Sequence, residues 1–268
     1  MDIQTLTQAL TQARVYDLAQ PYAVGMPHYP THPPFLFSLT KKHGDIVSET
    51  GVSAAADSIA LGTHVGTHID ALCHFSCNGM LYGGVAAASV QSYGAGLGHL
   101  SVDTVAPLIR RGVLLDIAGH LGIDTLPADT AITPELLESA AASQQVEVRA
   151  GDVVLLRTGW ARYWDDPVRY TTGGSGNQAC SPGPELAAAR WLSSRGVFAA
   201  GSDTLAFERV PSGMQVHVHL LVESGIHIIE VLNLEELARD RVYEFAFLAA
   251  PMKIKGGTGS PVRPLALA

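Results

Sequence analysis

The sequence predicts an α/β fold, a β-rich mixed sheet with flanking helices, and three observations lead there. Hydrophobic residues make up 47% of the 268-residue chain and charged residues 16%, the balance of a well-buried globular protein rather than a disordered or fibrous one. Short apolar, often β-branched runs recur, each bounded by Gly, Asp or Pro, as buried strands are. Between them lie stretches with helical start and stop signals. Because no Pro/Gly-rich break divides the composition into halves, a single domain with an extended N-terminal arm is expected over residues 1–268.

The opening stretch, MDIQTLTQALTQARVYDLAQPY, lacks the basic start and continuous apolar run of a signal peptide. No segment reaches membrane-spanning length free of Gly, Pro and charge, so a soluble, cytoplasmic protein is expected. The arm PYAVGMPHYPTHPPFLF follows, with Tyr22, Met26, Tyr29 and Phe35 suited either to lining a pocket for a flat aromatic molecule or to a packed contact. Its prolines already account for a rigid extended segment, so His28 and His32 are not counted as ligands. Strands are expected within 111–119, 152–160, 196–204, 225–232 and 243–252. Helices are expected at 133–143, with Thr133 as N-cap and Pro134 in first position, at 182–196, closed by Gly196, and at 233–240, capped by Asn233. The Gly/Ser/Pro-rich stretch 171–184 reads either as a lid or subunit contact or as a plain surface loop.

A net charge of −8 with no basic run leaves no electrostatic footprint for a nucleic-acid partner. Cys73, Cys77 and Cys180 are odd in number, and Cys-x3-Cys falls short of a structural zinc pattern, so reduced thiols are expected.

The chemistry concentrates in GTHVGTHIDALCHF, residues 62–75. On one helix His64 and His68 share a face, but Asp70 lies about 240° around the axis from His64. On one strand His64 and His68 stand roughly 13 Å apart. Convergence needs a bend, and Gly66 between the histidines supplies one. The expectation is a strand carrying SIAL, a turn at Gly66-Thr67 and a short helix starting near Asp70. That helix would place Asp70 and His74 at i and i+4, with His74 in the pocket as a non-ligand imidazole. His64, His68 and Asp70 mix imidazole with hard oxygen, a set suited to Zn²⁺ or Mn²⁺; burying Asp70 without a cation is costly. Downstream, VHVHLLVESG reads as a short helix ended by Gly225, and IHIIEVL as a buried strand carrying Glu230 on the face of Ile226 and Ile228. His227 falls on the opposite face, and spacing leaves His217 and His219 as equal candidates to partner Glu230.

HVGTHIDALCHF resembles the His-x-Gly-Thr-His-x-Asp-x-x-x-His signature of the metal-dependent cyclase-like hydrolases, a family that includes kynurenine formamidases and isatin hydrolases. The segments VHVHLLVESGIHIIEVLNLEEL, MKIKGGTGSPVRPLA and DLAQPYAVGMPHYP resemble the same family, so the likeness runs from about Tyr16 to Pro264. It implies a swivelling β/β/α fold, a homodimer or homotetramer, and a divalent ion, Mn²⁺ or Zn²⁺, on His64, His68 and Asp70. It further implies His74 as acid/base and, where two ions bind, His217 and Glu230 completing a second position with Asp70 bridging. The family's His-x-x-Leu-Leu pattern begins at His217 rather than His219. Leu72 stands where the formamidases usually carry Pro, so DALCHF looks closer to the isatin-hydrolase branch. The expected activity is water addition to the carbonyl of a small aromatic amide, cyclic amide or formamide, with lactone hydrolysis or cyclisation of an aromatic or polyketide-like substrate as the alternative. The chain has no Gly-x-Ser-x-Gly elbow for serine hydrolysis, and a binding module without turnover would not need His74. Asp203, at the end of an expected strand, either lies near the site or caps a turn.

Overall fold

The computed structural model describes residues 2–174, 176 and 178–268. Its principal strands are β1 (Val15–Asp17), β2 (Leu36–Lys41), β3 (Ala56–Ala60), β4 (His68–Asp70), β5 (Leu108–Asp116), β6 (Val153–Arg157), β7 (Ala199–Ser202), β8 (His227–Glu230), β9 (Glu244–Ala249), β10 (Gly259–Pro261) and β11 (Leu265–Leu267). The principal helices are α1 (Ile3–Gln12), α2 (Pro134–Ser143), α3 (Leu186–Ser194) and α4 (Glu235–Arg239).

Nine strands form one mixed sheet in the order β1-β11-β9-β5-β6-β7-β8-β4-β10. The centre, β5 to β8, is parallel, and antiparallel strands flank it on both sides. Period-two alternation sends successive side chains to opposite faces. Leu115, Val154, Leu156, Ala200 and Ile228 pack one face against Leu137 and Ala140 of α2 and Ala188 and Leu192 of α3. Leu114, Val153, Leu155 and Ile229 pack the other against Leu18, Leu237, Phe245 and Phe247. Burial on both faces is why the central strands read as continuous apolar runs rather than alternating ones.

All five expected strands form; β5 is shifted to start at Leu108, and the other four are shorter than their apolar runs. Helix α2 starts as expected, with Thr133 Oγ1 accepting from the Leu136 amide at 3.3 Å. Helix α3 begins later than 182 because Gly183–Pro184 pairs in a small parallel ladder with Ala131–Ile132. In the Gly/Ser/Pro-rich stretch, Thr171 and Thr172 close a short helix, Pro167–Thr172, while Ser175 and Asn177 lie outside the described residues. No described helix is long and apolar enough to cross a membrane. No disulfide forms among the described residues; Cys73 is buried, and burial pushes its thiol up to about 11.

Asp203 follows β7 and is fully buried. Its carboxylate accepts from the Thr158 amide at 2.9 Å, Thr158 Oγ1 at 2.6 Å and the Gly159 amide at 2.8 Å. It caps the turn after β6 and does not reach the histidine cluster; burial pushes its carboxyl up to about 6 against these donors.

Candidate metal centre

The three residues of β4 are buried and hydrogen-bonded on both sides: Glu230 of β8 is the cross-strand partner of His68, and Gly259 of β10 that of Asp70. This double pairing corrects the expected helix at Asp70. The chain stays extended there and reaches His74 through a turn closed by the His74 amide donating to the Ala71 carbonyl at 2.9 Å. Glu230 ends β8 at the carboxyl end of the parallel strands, where open α/β sheets place their sites. The next residue, Val231, has φ 59°, an outlier for a β-branched residue. Its amide donates to Thr204 and its carbonyl accepts from Thr67 Oγ1 at 2.6 Å, which holds the strained bend beside Glu230.

Gly66 supplies the expected bend at φ 67°. Tyr22 seals it, its one hydroxyl proton shared between the Val65 and Thr67 carbonyls, each 2.9 Å from the oxygen. A Cβ on Gly66 would stand 2.6 Å from Tyr22 Cζ. Gly66→Ala combines that clash with an unfavourable backbone region and is expected to cost about 2–4 kcal/mol in urea unfolding. It should also weaken divalent-metal binding, because His64 and His68 hang from this bend.

Two imidazoles facing the site have one nitrogen already committed. His68 Nδ1 donates to the Gly66 carbonyl at 2.8 Å, and His217 Nδ1 donates to Glu208 Oε2 at 2.6 Å. In the neutral rings each Nε2 is therefore a bare lone pair. His217 Nε2 stands 3.1 Å from Glu230 Oε1; His68 Nε2 stands 3.4 Å from Glu230 Oε2 and 3.5 Å from Asp70 Oδ1. Lone pairs and carboxylates repel at these distances unless positive charge lies between them. His68 Nε2 and Asp70 Oδ2 are moreover buried without a hydrogen-bond partner among the described residues.

Protons supply that charge when no cation does. Although burial opposes it, Asp70 and Glu230 carry His68 up to about 10, and Glu208 and Glu230 carry His217 up to about 10. Burial also opposes ionisation of the acids, yet His217 and His68 hold Glu230 down at about 2, and the His74, His64 and His68 imidazoles hold Asp70 well below the usual carboxylate range. Ligand atoms of His68, Asp70 and Glu230 lie within 4.8 Å of one another, as do those of His64, Asp70 and His74, with Asp70 common to both groups. His64 Nδ1 is 2.7 Å from Asp70 Oδ1. The orphaned nitrogen, the orphaned carboxylate oxygen and the mixed N/O donors fit a Zn²⁺ or Mn²⁺ ion.

The geometry separates the histidines that spacing left open. His217 turns inward, whereas His219 binds Glu223 Oε2 at 2.7 Å and Ser193 Oγ at 2.8 Å, away from the cluster. His227, on the opposite strand face, donates from Nδ1 to the Asp70 carbonyl at 2.9 Å and braces β4 from behind. His74 stacks on His64 with ring centroids 3.7 Å apart, and burial pulls its pKa down to about 3.

The cluster opens into a cavity of about 240 Å³ whose walls include Tyr29, His32, Phe75, Leu205 and Met214. Of the four apolar residues singled out in the arm, only Tyr29 reaches it. Tyr22, Met26 and Phe35 join Trp160, Trp164 and Tyr170 in an apolar cluster that borders the cavity through Leu205 and Tyr29. His32 is a wall residue, its Nδ1 3.2 Å from the His64 carbonyl oxygen. Sequence reading also passed over Thr258, whose Oγ1 lies 2.8 Å from His64 Nε2, and Glu208. The one local signal for Glu208 was its carboxylate directly after the uncharged run TLAF.

A family model described as "Cyclase: Putative cyclase" matches residues 16–209. Isatin hydrolase of Roseibium aggregatum is 27% identical over 216 residues, 78% of this chain and 73% of that protein. Kynurenine formamidase of Bacillus cytotoxicus is 25% identical over 256 residues, 93% of this chain and 95% of that one. A crystal structure described as that of a novel cyclase superposes with a TM-score of 0.88 at 31% identity, covering 99% of this chain and 90% of the other. It carries the same mixed α/β architecture. With the family match spanning most of its length, from β1 past β7, the chain belongs to the cyclase family.

Proposed function

We propose that this protein is a metal-dependent hydrolase that cleaves the C–N bond of a small aromatic amide, a cyclic one of the isatin kind or a formamide of the N-formylkynurenine kind. The observation that carries the reading is the convergence of the Nε2 atoms of His68 and His217, their Nδ1 atoms already committed, on Asp70 and Glu230 beneath an aromatic-walled cavity. His64, His68 and Asp70 would hold a divalent ion, with His217 and Glu230 joining through the shared Asp70 if a second ion binds. Such an ion polarises a carbonyl and brings the pKa of water towards neutrality. His74 is neutral at pH 7 and so free to accept; it would take the proton of the attacking water, a transfer that burial opposes and the Asp70 carboxylate favours, and deliver it to the leaving nitrogen. Phe75, Tyr29 and His32 hold a flat ring between them and exclude bulk water. Both named relatives are hydrolases of such substrates. Isatin, N-formylkynurenine and a simple aryl lactone should be assayed side by side, after metal removal and after adding back Mn²⁺ or Zn²⁺. Metal-dependent turnover of an amide substrate is expected; metal-independent turnover of all three, or none of any, overturns the reading.

For a homo-oligomer we infer a contact surface from one exposed hairpin. Strands β2 and β3 form a hairpin whose residues are nearly all exposed, and it carries Leu36, Phe37, Leu39 and Ile59 into solvent. A lone two-stranded ribbon is marginal in water, and exposed apolar patches of this kind mark contacts. A second copy of the chain is the occupant we propose, since the hairpin continues directly from the arm that walls the cavity. Phe37→Ser combined with Leu39→Ser should lower the mass in light scattering by a whole-number factor; an unchanged mass contradicts this surface.

A further inference from the structure

We propose that Glu208 is the positioning residue of the His217–Glu230 half of the site, an inference that rests on the metal reading of His217. Glu208 is 2% exposed, and both its oxygens are committed. Oε2 accepts from the His217 amide at 2.9 Å and from His217 Nδ1 at 2.6 Å, while Oε1 accepts from Ser212 Oγ at 2.7 Å. The carboxylate touches only the outer edge of the imidazole and does not wall the cavity. The preceding residue acts on the other partner: the Phe207 amide donates to Glu230 Oε1 at 2.7 Å. One dipeptide therefore aims both side chains. Its own position is fixed by Gly183, where a Cβ would stand 2.5 Å from the Glu208 carbonyl carbon and 2.6 Å from the Phe207 carbonyl oxygen.

The physical role follows from the tautomer. A carboxylate can only accept, so in the neutral ring that binds metal it fixes the proton on Nδ1 and leaves Nε2 bare towards Glu230. Its charge makes that nitrogen a stronger donor, and loss of such outer partners typically costs about 10–100-fold in metal affinity.

The test is competition for Zn²⁺ or Mn²⁺ against a chromophoric chelator, without substrate, using the wild type, Glu208→Ala, Glu208→Gln and His217→Ala. The expected result is a loss of about 10–100-fold in Glu208→Ala, comparable to His217→Ala, with partial rescue in Glu208→Gln. Glutamine still offers an oxygen to Nδ1 but carries no charge, so a graded rescue distinguishes positioning from general damage to the fold. Should Glu208→Ala not fold, Glu208→Gln alone decides, by a measurable loss against an unchanged thermal midpoint. If His217→Ala weakens binding and neither Glu208 variant does, the positioning role is wrong and the metal reading stands. If His217→Ala leaves binding unchanged, the metal reading of His217 fails and the proposal falls with it.

Discussion

Dialysis against a strong chelator is expected to lower kcat/KM on the responsive amide by at least about 10³-fold, roughly 4 kcal/mol of transition-state stabilisation, and added Mn²⁺ or Zn²⁺ to restore it. The loss is large because the positive charge that protonated His68 and His217 bring to the metal-free cavity is already engaged by Asp70 and Glu230. A pH signature accompanies it. In the metal-free chain His68 and His217 are raised to about 10, above the ordinary histidine value near 6.5, and stay protonated at neutral pH. Metal needs both Nε2 atoms bare, so binding near pH 7 releases protons and strengthens as pH rises. Stability of the metal-free fold runs the other way. A raised histidine stabilises fully below about 6.5, and its contribution is lost as pH climbs through about 10. Thermal midpoints from pH 6.5 to 10 should therefore fall without metal relative to the metal-loaded protein. Calorimetric titration in buffers of different ionisation enthalpy reads the proton release directly; none released would contradict the protonation of His68 and His217 in the metal-free chain.

His74→Ala should lower kcat by about 10²–10⁴-fold with little change in KM. The ring makes no ion pair within 4 Å of a described residue and stacks on His64, so its removal leaves the hydrogen bonds of the cavity floor intact. Metal content must be measured on the same sample, because His74 also stands within ligand reach of His64 and Asp70. Full metal content with a crippled rate identifies the proton carrier. A near-wild-type rate with metal bound contradicts that role, and lost metal makes His74 a ligand instead.

Local chemistry carried much of this fold. The Thr133–Pro134 start, Gly225 at the end of the short helix and the two-faced apolar strands are determined by residues close in sequence, and they read correctly. Gly66 was legible for the same reason, since a tight bend requires a residue free to take positive φ. The helix expected at Asp70 failed because β4 is decided by Glu230 and Gly259, more than 150 positions away, which pair with both its edges. Three residues have no intrinsic signal strong enough to announce such pairing. The choice between His217 and His219 depended likewise on which way a short helix faces, and Glu208 was invisible because an outer-sphere carboxylate has no spacing rule. The strand expected at SIAL forms as β3, but its partner β2 was not legible, because its residues are nearly all exposed and show no buried alternation.

The account turns on Asp70, the residue common to both donor groups. Equilibrium dialysis with Zn²⁺ or Mn²⁺, read as ions bound per chain by elemental analysis, tests it most directly in the wild type and in Asp70→Ala. The wild type should retain at least one ion and Asp70→Ala none at the same free-metal concentration; a wild type that binds no ion, or an Asp70→Ala variant that binds as well as the wild type, would contradict it.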